Sequence, residues 1–107
     1  MSIVVASMSG VAELQACIDA LVPPCREANV ELVVVRATTA EEFRALQSRN
    51  PAVLFMPAPD GSTSRALRGF GIAAADGDIV ALTDDARLPD AEWLRDTVAL
   101  AAPAPAS

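Results

Sequence analysis

The chain has 107 residues, 52% of them hydrophobic, and a formal net charge of −6. That length sets one domain, with enough apolar content for a core. An acidic chain with no basic cluster excludes the phosphate neutralisation on which nucleic-acid binding depends, and no apolar run approaches the ~20 residues of a membrane span. The basic residues are all arginine, and lysine, histidine and tyrosine do not occur. This looks like the coding bias of a GC-rich genome, and it removes histidine as base, nucleophile or metal ligand. The opening MSIVVASMSG has no positively charged start and too short an apolar run for a signal peptide. Cys17 and Cys25 lie eight apart without metal spacing and read as reduced, so a cytoplasmic location is expected.

Ser2 to Ala6 is a continuous apolar run rich in β-branched residues, which predicts a strand covered on both faces. Ser7-Met8-Ser9-Gly10 breaks it. Val11, Leu14, Ile18 and Leu21 then recur at helical spacing with Cys17 beside them, predicting a helix over Val11 to Leu21 that Pro23-Pro24 terminates. Glu13 falls in its first turn, where the helix dipole favours an acid.

Glu31 to Val35 predicts the second strand, followed by a loop at Arg36-Ala37-Thr38. Thr39, with Glu42 three residues on, forms a capping box for a helix over Ala40 to Arg49, which Asn50-Pro51 stops. Ala52 to Met56 predicts the third strand, and Pro57 to Gly61 a loop. Ser62 is the expected cap of a helix reaching about Ala75, with Leu67, Phe70 and Ala74 on one face and Gly69 and Gly71 weakening it. Asp78 to Thr83 predicts the fourth strand and Asp84 to Leu88 an acidic loop. A last helix begins near Pro89 and runs to Leu100.

The order β-α-β-α-β-α-β-α, with continuous apolar strands, predicts an α/β domain. It is a single three-layer, Rossmann-like domain with a mostly parallel four-stranded sheet and helices on both faces. The domain spans residues 1–100. Residues 101–107, AAPAPAS, form an Ala/Pro-rich tail expected to be disordered. No internal repeat is present.

The stretch Gly77 to Trp93, GDIVALTDDARLPDAEW, organises the functional reading. A buried strand here delivers Asp84 and Asp85 at its carboxyl end, where ligands bind in open α/β sheets. Adjacent carboxylates there are hard oxygen ligands for Mg or Mn and, through the metal, for a diphosphate. They are equally a polar turn that caps the following helix. Adjacent residues of an extended segment point opposite ways, so one of the pair faces the cleft.

Four blocks, SIVVASMSG, ELVVVRATT, LRGFGIAAADGDIV and TDDARLPDAEWL, resemble in order those of the nucleotide-binding half of the family 2 glycosyltransferases, which have the GT-A fold. The resemblance covers Ser2 to about Leu94. It implies a nucleotide sugar bound by Ala6, Ser7, Ser9, Arg36, Arg68 and Asp84, with Mg or Mn at Asp84 and Asp85. Against the family pattern, Ala6 and Ser9 replace a proline and an asparagine. Arg36 stands where an acid meets the base, Gly69 replaces an asparagine, and Ala86 replaces the third carboxylate. Nothing in the sequence aligns to the family's acceptor-binding half.

Two functions follow from the resemblance. The first is a glycosyltransferase-like domain that binds a nucleotide sugar without being catalytic alone. The second is a non-catalytic interaction or assembly module of the same descent. Exposed sheet edges and the missing half lead to an expected homo-oligomer or partner protein. The bland readings stand beside these: Arg68 as a solvated helix residue or partner of Asp84, Arg36 as a surface residue, Asp78 as a local cap, and Trp93 as a helix-to-sheet packing residue. Ser7 and Ser9 also suit an ordinary strand-to-helix turn.

Overall fold

The computed structural model describes residues 1–75 and 80–84. Over them the chain runs β1 (Ser2–Ser7), α1 (Val11–Ala28), β2 (Glu31–Ala37), α2 (Ala40–Arg49), β3 (Leu54–Ala58), α3 (Ser64–Ala74) and β4 (Val80–Asp84). The four strands form one sheet in the order β3-β2-β1-β4, and every pair is parallel.

Period-two alternation divides the core into two layers. Ile3, Val5, Leu32, Val34 and Phe55 meet Leu14, Cys17, Ile18 and Leu21 of α1 and Leu46 of α2. Val4, Ala6, Val33, Val35 and Ala58 meet Leu67 of α3. Both faces of β1 are therefore covered, which is why its apolar run is continuous rather than alternating. The β1–β2 pair is pinned at both ends by polar partners in register. Ser2 lies opposite Glu31 and Ser7 opposite Arg36, and the Ser2 hydroxyl donates to Glu31 Oε1 at 2.8 Å. A slip of one residue would bury these polar groups against apolar ones.

Gly71 fixes how closely α3 approaches the sheet. A Cβ built there would lie 2.2 Å from Val4 Cγ1 and 3.0 Å from Val35 Cγ2. Only a residue without a side chain lets the helix backbone rest on β1 and β2 at this point.

Several boundaries differ from the sequence reading. Pro23-Pro24 does not terminate α1, which continues to Ala28 with both prolines inside it. The prolines have no N–H to give the carbonyls of Asp19 and Ala20. The last turn is held instead by Cys25, which extends the buried stripe, and by a closed end. There Asn29 adopts φ 58°, its N–H donates to the Arg26 carbonyl, and the Val30 N–H donates to the Cys25 carbonyl at 2.8 Å. An interior proline costs about 3 kcal/mol, and part of that, about 0.4–1 kcal/mol, is offset by restricting the unfolded chain. Pro24→Ala is therefore expected to stabilise the domain by about 2 kcal/mol, seen as a higher urea midpoint with an unchanged slope.

Val11, assigned to the buried face, is 37% exposed because it starts α1 beyond the end of the sheet. The second strand continues through Arg36 and Ala37, so Arg36 is a strand residue. β3 begins at Leu54, two residues later than expected, and runs through Pro57. Its place at the sheet edge tolerates a residue with no donor. The cap of α3 is Thr63, whose hydroxyl accepts from the Ala66 N–H at 3.1 Å, whereas the Ser62 hydroxyl donates to the Pro59 carbonyl at 2.5 Å. Leu67 and Gly71 are the buried face of α3, and Phe70 is 43% exposed. Asp84 closes β4 rather than opening a loop. Asp78, Asp85, Trp93, the last predicted helix and the tail at 101–107 lie outside the described residues.

Both cysteines are reduced and buried on α1. Eight residues of helix separate them by roughly 12 Å, beyond the ~7 Å limit between the Cα atoms of a disulfide. Burial pushes the Cys25 thiol up to about 11, so it stays protonated and unreactive at neutral pH.

Candidate functional site

The strand order gives the place of a candidate site. From β1 the chain steps outward to β2 and β3 and then returns across the sheet to β4, on the other side of β1. The carboxyl ends of β1 and β4 therefore flank the point where the order reverses, the usual ligand crevice of such sheets. Ala6 pairs in register with Asp84, so the acidic end of β4 lies directly beside the Ser7–Gly10 turn.

Arg36 crosses the neighbouring end of the sheet. Its Nη1 donates to the Ser7 hydroxyl at 2.9 Å and to the Ser9 carbonyl at 2.5 Å. Its Nε donates to Glu42 Oε1 at 2.7 Å. This is the one ion pair among the described residues, and the Arg36 side chain is 14% exposed against 34% for Glu42. The clamp ties β1, β2, the turn after β1 and the first turn of α2 together. The expected surface arginine is in fact mostly buried and fully oriented. A guanidinium has five N–H groups in a fixed fork. The three bonds use Nε and Nη1 and leave Nη2 without a partner among the described residues.

The sequence reading places Glu42 in the capping box of α2 alone. Its backbone completes half of the expected capping box, donating to Thr39 Oγ1 at 3.1 Å. Its carboxylate turns to Arg36, whose hydrogen bond holds it below the usual carboxylate range. An arginine ending a strand and an acid one turn into the next helix was the available signal. A carboxylate with a lowered pKa contributes stability above its unfolded value and loses it as pH falls through the folded value. Stability of the wild type should therefore fall in the acid range, below the ordinary glutamate pKa, and Glu42→Gln should flatten that fall in urea titrations at stepped pH.

The turn after β1 leads into α1 through Gly10, which makes no side-chain cap. A Cβ at Gly10 would lie 2.6 Å from Glu13 Oε2. The Glu13 carboxylate thus folds over the start of α1, where the dipole favours it.

The predicted site residues that lie among the described ones separate into three groups. Ser7, Ser9 and Arg36 are joined by hydrogen bonds. Ala6 is buried in the layer under α3, which leaves its backbone as its contribution, beside Asp84 at the reversal point. Arg68 is exposed on α3 and makes no hydrogen bond or ion pair with the others among the described residues. Asp85 lies outside the described residues. No group of three or more metal-ligating side chains occurs among the described residues.

No protein-family model matches the chain, and no curated protein matches it. Within the described residues no helix is long and apolar enough to cross a membrane.

Proposed function

We propose that the domain binds a phosphate-bearing nucleotide, most specifically a nucleotide sugar, at the carboxyl ends of β1 and β4. The observation that carries this reading is the pairing of Ala6 with Asp84 at the reversal point of the sheet. Arg36 is held one strand away, its Nη2 without a hydrogen-bond partner among the described residues. A phosphate would take charge-assisted bonds from that nitrogen, and the hydroxyl-bearing turn after β1 would flank it.

The donor chemistry suits a hard cation. Asp84 and Asp85 supply carboxylate oxygens, and Mg or Mn completes its shell with water and diphosphate oxygens rather than needing a full protein cage. When bound, such an ion would offset charge on the diphosphate. The reading is binding rather than sugar transfer by the described residues. The acid in the Arg36 cluster, Glu42, is ion-paired and held in its ionised form, which makes it a weak base at neutral pH.

Calorimetric titration of UDP, GDP and a UDP-sugar, with and without Mn, tests this. Metal-dependent binding that is lost in Asp84→Ala and Asp85→Ala is expected. Absence of binding by any of these nucleotides contradicts it.

A second reading, an interaction or assembly module that binds no nucleotide, draws on a different observation. Phe70, Ile72 and Leu82 are 43%, 49% and 43% exposed, and exposed apolar side chains in a small domain favour association. Sedimentation that yields a single monomeric species across micromolar concentrations would remove the homo-oligomer from that reading.

A further inference from the structure

At the opposite end of the sheet a groove opens between the second half of α1 and the segment that joins α2 to β3. Its volume is about 280 Å³, and a smaller hollow of about 160 Å³ shares Val22, Arg26 and Ala52 with it. The floor is apolar, with Ile18, Val22, Ala52 and Val53. Arg26 and Arg49 stand on the wall, each exposed. Neither has an ion-pair partner among the described residues, where the single salt bridge belongs to Arg36. The one acid in the lining is Asp19, whose Oδ1 accepts from Gln15 Nε2 at 2.8 Å. In a chain of net charge −6, two guanidinium groups with no ion-pair partner among the described residues, against the one carboxylate of Asp19 in the lining, make the wall locally positive.

The floor is also rigidly built. Asn50 is 8% exposed. Its side-chain amide donates to Gln15 Oε1 at 3.1 Å and to the Leu46 carbonyl at 3.1 Å, and its side-chain oxygen accepts from Gln15 Nε2 at 2.9 Å. Gln47 Nε2 donates to the Val53 carbonyl at 2.8 Å. These bonds fix α1, α2 and the approach to β3 relative to one another, so the groove is preformed.

We propose that this groove is a second ligand site, separate from the carboxyl end of the sheet, and that it takes a small organic carboxylate with an apolar body. The carboxylate meets Arg26 and Arg49, which suit planar bidentate recognition, and the body covers Val22 and Val53. The volume of about 280 Å³ lies just below the ~300–1,000 Å³ range of small-molecule sites, which limits the occupant to a benzoate- or octanoate-sized anion.

The test uses the full chain, labelled with nitrogen-15. Octanoate and benzoate are titrated to about 10 mM, the range in which weak sites saturate, with octanol and benzyl alcohol as neutral counterparts. Saturable shifts are expected at the amides of Val22, Arg26, Ala52 and Val53, without matching shifts at Ser7 to Gly10. Charge-assisted bonds make the loss in Arg26→Gln/Arg49→Gln roughly tenfold in affinity, and the alcohols should bind more weakly by a similar factor. Both arginines are exposed, so the variant is expected to keep the wild-type spectrum elsewhere. Shifts that are absent, that the variant leaves unchanged, or that the alcohols reproduce overturn the proposal. Because the two sites lie at opposite ends of the sheet, its failure is distinguishable from failure of nucleotide binding.

Discussion

Gly71→Ala is expected to destabilise the domain by about 2 kcal/mol, and Gly71→Val by about 3 kcal/mol or more. Added methyl groups in a well-packed core cost about 1–3 kcal/mol, and here the clash is with the β-branched Val4 and Val35, which are fully buried. Their stiff rotamers leave little room to yield. The helix-propensity gain from Gly to Ala returns at most about 1 kcal/mol. Gly69 is the internal control. It lies on the same helix with nothing within 4 Å of an added Cβ, so Gly69→Ala should stabilise by about 0.5–1 kcal/mol. Opposite shifts of the urea midpoint, two residues apart on α3, are the signature of a helix resting on the sheet through Gly71. Equal shifts in the same direction would contradict that packing.

Arg36→Met is expected to destabilise by about 2–3 kcal/mol, because it keeps the apolar stem and removes three hydrogen bonds at once. Ser7 is 3% exposed and loses its guanidinium partner in a place that water reaches poorly. Glu42→Gln should cost less, about 0.5–1 kcal/mol, since the carboxylate is a third exposed and screened by solvent. A double-mutant cycle between the two should return a coupling of about 1 kcal/mol. Additive effects would mean that Arg36 acts through Ser7 and the Ser9 carbonyl alone. Arg36→Met should also weaken nucleotide binding, because the oriented Nη2 disappears with the clamp.

Much of the fold was legible because apolar pattern and local chemistry agreed. The runs Ile3–Ala6 and Leu32–Val35 carry no polar residue, as strands covered on both faces require, and their parallel pairing follows. Thr39 with Glu42 marked the start of α2 at the observed residue. The failures share a cause: each local rule was outweighed by tertiary context. Pro23-Pro24 reads as a terminator, yet the buried Cys25 and the Asn29 cap carry α1 past it. Pro57 reads as a loop residue, yet the sheet edge accommodates it. Phe70 reads as core because its spacing is helical, but the Gly71 contact rotates Leu67 and Gly71 toward the sheet instead.

The position of Asp84 in the fold was legible, and the contacts around Arg36 were not. Asp84 at the end of an apolar run pointed to the carboxyl end of the sheet, and it pairs there with Ala6. The Arg36 clamp was not legible, because its bonds to Ser7 and Ser9 span 29 and 27 residues and only the fold brings them together. Glu42 reads as the capping-box acid of its own helix, a role its backbone fulfils while its carboxylate serves Arg36.

Paramagnetic broadening by Mn in the presence of UDP is the most direct test of the proposed site. In a spectrum of the nitrogen-15-labelled chain, the amides of Ala6 to Gly10 and of Thr83 and Asp84 should broaden first. The effect should require UDP and disappear in Asp84→Ala. Broadening confined to exposed acids elsewhere, such as Glu27 and Glu41, or unaffected by UDP, would contradict ligand binding at the reversal point of the sheet.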